Sequence, residues 1–285
     1  MTEPEIIIDG KKFKIVRQSR RGEVTVYTSG KFYARVGKPE VVAAMLSLHK
    51  KFDSFGFPVA PTVGSGEFES QAYFIEESLG DECFSFLFKH DFDKDGVISP
   101  ELFERFISVS EKFARAQLRS ATVDMTDVSF TKLVGPDDLK DELPEFSQRI
   151  SERYQQALTG LKVFPQVLTQ GDFNPHNIFP KGVIDFEETY YGPAGYDLVT
   201  NIFSNEYFPS VTGYEYIRLS SFTDEQKALY YKRLDAIYIA AGLPKISDYL
   251  QHFEFLRAIW LVKRNHRMPK LQQWRYELFK KNYLL

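Results

Sequence analysis

Residues 171–187, GDFNPHNIFPKGVIDFE, carry an aspartate at 172, an asparagine at 177 and an aspartate at 185. Two short apolar runs, Ile178-Phe179 and Val183-Ile184, lie between them, parted only by Pro180-Lys181-Gly182. A carboxylate and an amide oxygen are hard donors of the kind Mg²⁺ accepts, with phosphate and water completing its shell. A further carboxylate nearby can accept or orient the proton of a hydroxyl. Phosphoryl transfer asks little more of a protein, because it depends on positioning and charge stabilisation rather than on covalent help. On this reading Asp172 serves the acceptor hydroxyl. Asn177 and Asp185, each beside a short strand, are held for the metal.

The surrounding chain must supply a frame for those three groups. EIIIDGKKFKIV reads as two strands around Asp9-Gly10, and GEVTVYTSGKFYARVG repeats that form with a turn at Ser29-Gly30. PEVVAAMLSLHKKF then has helical spacing opened by Pro39, and QAYFIEES is another strand. From about Phe84 the texture becomes helical. PELFERFISVSEKFARAQLRS reads as a long amphipathic helix, and helical signals return from Thr223 to the end. The expectation is an α+β chain with a small β-rich lobe over residues 1–80 and a larger, mainly helical lobe over 81–285. The cleft between two such lobes is a favoured place for a ligand.

Bulk properties narrow the class. The 285 residues are 43% hydrophobic and 26% charged, with a net charge of -3, as expected of an ordinary globular protein. That balance gives no general reason to invoke nucleic acid or a membrane surface. Cys83, the sole cysteine, excludes an intramolecular disulfide and reads as a buried thiol. The start has no secretory pattern, and no run approaches the roughly 20 apolar residues of a membrane helix. A cytoplasmic protein is expected, and no pattern specifies an oligomeric state. The 26 Phe and 16 Tyr require extensive aromatic packing.

QGDFNPHN, then VIDFE, then GYDLV resembles the aminoglycoside phosphotransferase and choline kinase group, the small-molecule branch of the protein-kinase-like fold. That group carries His-Gly-Asp-x-x-x-x-Asn, then Ile-Asp-Trp/Phe-Glu, then Gly-x-x-x-x-Asp-Leu, and three linked motifs are far more specific than one. The resemblance implies a two-lobed fold that uses ATP, or GTP in its place, with Mg²⁺ and a small hydroxyl-bearing substrate. It makes Asp172 the catalytic aspartate, Asn177 and Asp185 metal ligands, and Glu187 a further member of the metal shell. Asp197, with Gln170, would steady the catalytic loop.

The chain departs from that pattern at several points. Gln170 stands where the group has His. Arg35 stands where a third-strand Lys meets the nucleotide phosphates, the alternative being a surface charge on the strand, and Arg is planar where Lys is a point charge. Glu40 is the candidate partner for Arg35, although an acid at a helix start also has its own local reason to be there. The phosphate-covering loop QSRRGEVTVY has one glycine, Gly22, with Ser19 as a further contact. The backbone from Glu76 to Ser78 would meet the adenine edge.

Other signals carry less. DFDKDGVISPEL, residues 91–102, nearly spells a calcium loop but ends in Leu102 where a bidentate acid is required, so it reads as an acidic turn before a helix capped by Ser99. The acidic stretch 135–145 reads as a solvated helix start. The basic residues Lys263, Arg264, Arg267, Lys270, Arg275, Lys280 and Lys281, interleaved with aromatics, read as a helix face rather than a nucleic-acid site. The tyrosines from 190 to 238 read as core more readily than as a cage for an alkylammonium group. His176 reads as loop structure. The function expected is phosphoryl transfer to a small molecule, metabolites placed ahead of antibiotics because clustered acid is scarce. A catalytically weak or inactive nucleotide-binding pseudokinase or regulatory module is the competing class.

Overall fold

The computed structural model describes residues 5–18, 22–122, 129–186, 188–203, 221–264 and 269–285. Ser19 and Glu187 lie outside the described residues. The chain begins with strands β1 (Glu5–Ile8), β2 (Lys11–Gln18), β3 (Val24–Thr28) and β4 (Phe32–Gly37), then helix α1 (Pro39–Ser54), then β5 (Thr62–Phe68) and β6 (Gln71–Glu77). Among the described residues these form a six-stranded antiparallel sheet in the order β1-β2-β3-β4-β6-β5. The first hairpin closes through Asp9 and Gly10, both at positive φ, as a two-residue turn matched to strand twist demands. Irregular register at Ile15/Arg17 and Thr62/Gly64 adds twist. One face buries Phe13, Ala34, Val36, Tyr73 and Ile75. The other face packs Val24 and Phe74 against Val42 of α1.

The helical part follows as α2 (Phe84–Asp95), α3 (Pro100–Arg119), α4 (Ser129–Leu133), α5 (Asp137–Glu142) and α6 (Ser147–Gly160). Short strands β7 (Gln166–Leu168), β8 (Ile178–Phe179), β9 (Gly182–Val183) and β10 (Tyr191–Pro193) come next, before α7 (Tyr196–Phe203), α8 (Asp224–Ala240), α9 (Leu250–Arg264) and α10 (Pro269–Phe279). Helix α3 buries an apolar stripe including Phe103, Phe106, Phe113 and Ala116. Helix α8 starts at a capping box in which the Thr223 hydroxyl accepts from the Gln226 N–H and the Gln226 side chain accepts from the Thr223 N–H.

The resemblance to a calcium loop is resolved by α2. Asp91, Asp93 and Asp95 lie within that helix, and Asp91 caps the next one by accepting from the Ser99 N–H at 2.9 Å and from its hydroxyl. No described helix is long and apolar enough to cross a membrane.

Candidate active site

Three peptide segments meet beneath the sheet. Strands β7 and β10 pair antiparallel and bring residue 170 beside the start of α7, which carries Asp197. The Asp197 carboxylate accepts from the Gln170 N–H at 2.7 Å, the Gly171 N–H at 3.3 Å and Gln117 Nε2 at 3.0 Å. Burial pushes this carboxyl up to about 7, against the opposing pull of those two N–H groups and of Arg257. Gly171 has φ +91, and a Cβ there would lie 2.4 Å from the Glu188 carbonyl oxygen, so the bend admits only glycine. Asp172 follows that bend and remains half-buried.

Gln170 joins this loop to the next. Its side-chain oxygen accepts from the Asp172 N–H at 2.8 Å, while its Nε2 donates to the carbonyls of Ile184 at 3.0 Å and Asp185 at 2.6 Å. One fully buried amide therefore satisfies a donor and two acceptors on the two loops that carry Asp172 and Asp185.

The hairpin of β8 and β9 carries Asn177 at its entry and Asp185 just past its exit, with Ile178 opposite Val183. The Ile184 N–H donates to the Asn177 carbonyl at 3.0 Å, which locks the two ends side by side. The Asn177 Nδ2 donates to the Asp172 carbonyl at 2.9 Å, so the amide nitrogen is committed and its oxygen is the atom available to a cation. Asp185 has φ +66, a left-handed conformation uncommon for a side chain other than glycine and associated with functional strain. An amide oxygen and one carboxylate fit Mg²⁺, which takes few protein ligands when phosphates supply the rest. Among the described residues no group of three or more His, Cys, Asp or Glu is placed to hold a metal ion.

Above these loops, Arg35 of β4 and Glu76 of β6 form an ion pair at 2.9 Å, with a second contact from Arg35 Nε at 3.1 Å. Arg35 lies opposite Phe74, and Tyr33 opposite Glu76, so the pair sits diagonally on one face of the sheet. His49 of α1 completes the group, its Nδ1 3.9 Å from Glu76 and its Nε2 donating to the Ala60 carbonyl at 2.6 Å. Arg35, His49, Phe74 and Glu76 line one cavity with Ile184, Asp185 and Phe186 from below. Glu40, the expected partner, is exposed in the first turn of α1. Nine residues of helix, about 13 Å of rise, separate it from His49 over the pair.

The Glu77 and Ser78 N–H groups already donate to the Pro61 and Lys31 carbonyls at 2.9 Å each, because β6 is an inner strand. The segment reaches the cavity through Glu76. Ser78 is occupied locally, its hydroxyl bonded to the Gly80 carbonyl at 3.1 Å. Gly22 sits exposed at φ +68 in the turn between β2 and β3.

The family model described as the phosphotransferase enzyme family matches residues 31–245, three quarters of the chain. The chain belongs to that family. Among solved structures it is similar to a thermostable mutant of the aminoglycoside phosphotransferase APH(4)-Ia in ternary complex with AMP-PNP and hygromycin B. That likeness has 18% identity and a TM-score of 0.50, and covers 94% of this chain and 93% of that one. The apo form of that mutant gives 18% identity, 94% of each chain and a TM-score of 0.50. A choline/ethanolamine kinase family protein from Mesorhizobium loti gives 11% identity, 96% and 89% coverage and a TM-score of 0.48. No curated protein matches the chain in sequence. The fold is therefore the kinase-like one, a curled antiparallel sheet followed by a helical region.

Two features of this phosphotransferase-family chain were not read from its sequence. The first is an aromatic chain whose ring centroids run from Phe186 to Phe52 (4.1 Å), Phe57 (4.7 Å), Phe113 (5.0 Å) and Phe173 (4.0 Å). Phe173 follows Asp172 and Phe186 follows Asp185, so both loops are braced through α1 and α3. The second is Arg257 of α9, whose Nη2 lies 2.8 Å from Asp172 Oδ1. A lone cation within the apolar run FEFLRAIWLV was the available signal, since a buried charge requires a partner.

The remaining sequence signals resolve into structure. Tyr190, Tyr196, Tyr230 and Tyr238 are buried core, and the aromatics between 204 and 220 lie outside the described residues. In the basic C-terminal run, Arg275 is fully buried, Lys263 donates to the Gly135 carbonyl and pairs with Asp138, and Lys280 pairs with Glu277. Arg267 and the side chains of Arg264 and Lys270 lie outside the described residues. His176 is exposed, with Nε2 3.2 Å from the Ser85 hydroxyl.

Proposed function

We propose that this chain is an ATP- and Mg²⁺-dependent phosphotransferase that acts on a hydroxyl of a small molecule. The observation that carries the reading is that Arg35, from the sheet, and Asp185, from the loop beneath, line the same cavity. A triphosphate entering between them would meet a cation on one side and a metal-binding carboxylate on the other.

In this reading Asn177 and Asp185 hold the divalent ion, which supplies charge neutralisation on the phosphates. Asp172 accepts the acceptor's proton as the new oxygen–phosphorus bond forms. The bond from the γ-phosphorus to the bridging oxygen breaks, and ADP leaves with that electron pair. Gln170 and Asp197 keep the two loops in register, and Arg35 faces the nucleotide phosphates. GTP is the alternative donor, and a cytoplasmic location fits a consumer of either nucleotide. Glu187 as an outer metal ligand and Ser19 with Gly22 as phosphate contacts belong to the same proposal.

The test is ADP release by the purified chain with MgATP or MgGTP and a panel of amino-alcohols, sugars and aminoglycosides. Turnover with at least one acceptor is expected, falling by roughly 10²- to 10⁴-fold in Asp172→Asn, the range for loss of a positioned acid–base group. Tight MgATP binding with no turnover on any acceptor would favour the pseudokinase reading instead.

A further inference from the structure

We propose that Arg257 is a positioning residue for phosphoryl transfer: its guanidinium fixes the Asp172 carboxylate in the orientation that meets the acceptor hydroxyl. The inference rests on the role given to Asp172 above, and α9 becomes part of the catalytic apparatus through it.

The geometry is a two-point grip. Arg257 Nη2 lies 2.8 Å from Asp172 Oδ1, and Nη1 donates to the Gly171 carbonyl at 3.3 Å, on the residue just before Asp172. The fork therefore holds both the side chain and the backbone that presents it. Trp260, one helical turn further along α9, lies beneath the guanidinium with its ring centroid 3.6 Å away. A planar cation held on an aromatic face at one side and on a carboxylate at another has little freedom to rotate.

The burial is asymmetric, and the guanidinium faces the buried Tyr196 side chain of α7 as well as Asp172. The Arg257 side chain is 1% exposed, whereas that of Asp172 is 28% exposed. Removing a guanidinium from water is costly, and an apolar residue of similar size usually serves packing as well or better. On helix α9 the residues Phe253, Leu256, Ala258 and Ile259 are buried beside Arg257. The charge is thus placed deep in the helical region, where it reaches a carboxylate that is partly open to solvent.

The helix that carries Arg257 is itself held at its far end. Arg275 Nη1 donates to the Leu261 carbonyl at 2.8 Å, and Gln272 donates to the Val262 carbonyl, so two carbonyls of its last turn are satisfied from α10. A fixed helix is what an orienting residue requires, because a misplacement of about 1 Å at the reacting groups costs roughly 10²-fold in rate.

The experiment compares wild type with Arg257→Lys, Arg257→Gln and Asp172→Asn. It measures thermal midpoint, MgATP KM, and kcat for ADP release with water and with the best acceptor from the panel. The expected result is that Arg257→Gln keeps MgATP KM within about threefold while kcat falls by roughly 10²-fold. Lys should recover only part of the rate, since it brings charge without the fork. A purely structural role would move the thermal midpoint without separating kcat from KM. A folded Arg257→Gln or Arg257→Lys variant with wild-type kcat overturns the proposal; Arg257→Lys, the closer match in charge, decides the matter if Arg257→Gln does not fold. Wild type that neither binds MgATP nor releases ADP would sink the kinase reading itself. An inactive Asp172→Asn beside fully active Arg257 variants would sink only the positioning role.

Discussion

Arg35 and Glu76 meet diagonally across β4 and β6 at 2.9 Å, with side chains only 13% and 7% exposed. A cation that faces the cavity above Asp185 is thus held by its own sheet, and α1 contributes His49 to the group rather than an acid. Sheet register sets this pairing, so it does not depend on how α1 lies over the sheet.

Removing one member of such a pair leaves the other poorly solvated. Glu76→Ala is expected to destabilise the protein by about 3 kcal/mol, since breaking a buried pair costs far more than losing a surface one. It should also raise the MgATP KM roughly tenfold, the equivalent of one charge-assisted hydrogen bond lost from a positioned Arg35. Glu40→Ala should change stability by less than about 0.5 kcal/mol and leave KM alone. Urea unfolding and ADP-release kinetics on both variants check the ranking, and the reverse order would refute it.

Gln170 makes three buried hydrogen bonds that join the loops of Asp172 and Asp185. Gln170→Leu keeps the approximate volume and removes all three, leaving a buried N–H and two carbonyls short of a partner. A loss of about 2 to 3 kcal/mol in unfolding free energy is expected, with a fall in kcat larger than any change in KM. An unaltered kcat in the folded variant would show that the clamp serves stability alone.

Asp197 gives a pH signature with a definite sign. Its folded-state value near 7 lies above the ordinary 3.8, so the folded chain holds this proton across that interval while the unfolded chain releases it. Its contribution to stability is fully present below pH 3.8 and is lost as pH rises towards 7. Between pH 4.5 and 7 the unfolding free energy of wild type should therefore decline more steeply than that of Asp197→Asn. The difference in slope is at most about 1.4 kcal/mol per pH unit, the value for one proton. Parallel profiles would remove Asp197 as the titrating group.

Much of the frame was legible because local chemistry dictates it. Asp9-Gly10 and Ser29-Gly30 announced hairpins that the sheet contains, and Pro39, Ser99 and Thr223 marked helix starts seen at α1, α3 and α8. Helix α2 was not foreseen: its aspartates mimic a calcium loop, and only the tertiary fold shows Asp91 turned to cap α3. The site was legible where its residues are close in sequence, as Asn177 and Ile184 are. It was not legible where contacts are long-range. Arg35 with Glu76 depends on strand register, and Arg257 with Asp172 joins positions 85 residues apart through the packing of α9.

The proposed mechanism requires Asn177 and Asp185 to hold one divalent ion on the phosphates of a nucleotide bound between sheet and helices, within reach of Asp172. Anomalous scattering from Mn²⁺ in crystals grown with a non-hydrolysable ATP analogue tests it most directly. The expected peak is ligated by Asn177 Oδ1, an Asp185 carboxylate oxygen and phosphate oxygens, with the γ-phosphate turned towards Asp172. A cation bound elsewhere, or a nucleotide seated away from Arg35 and Asp185, would contradict it.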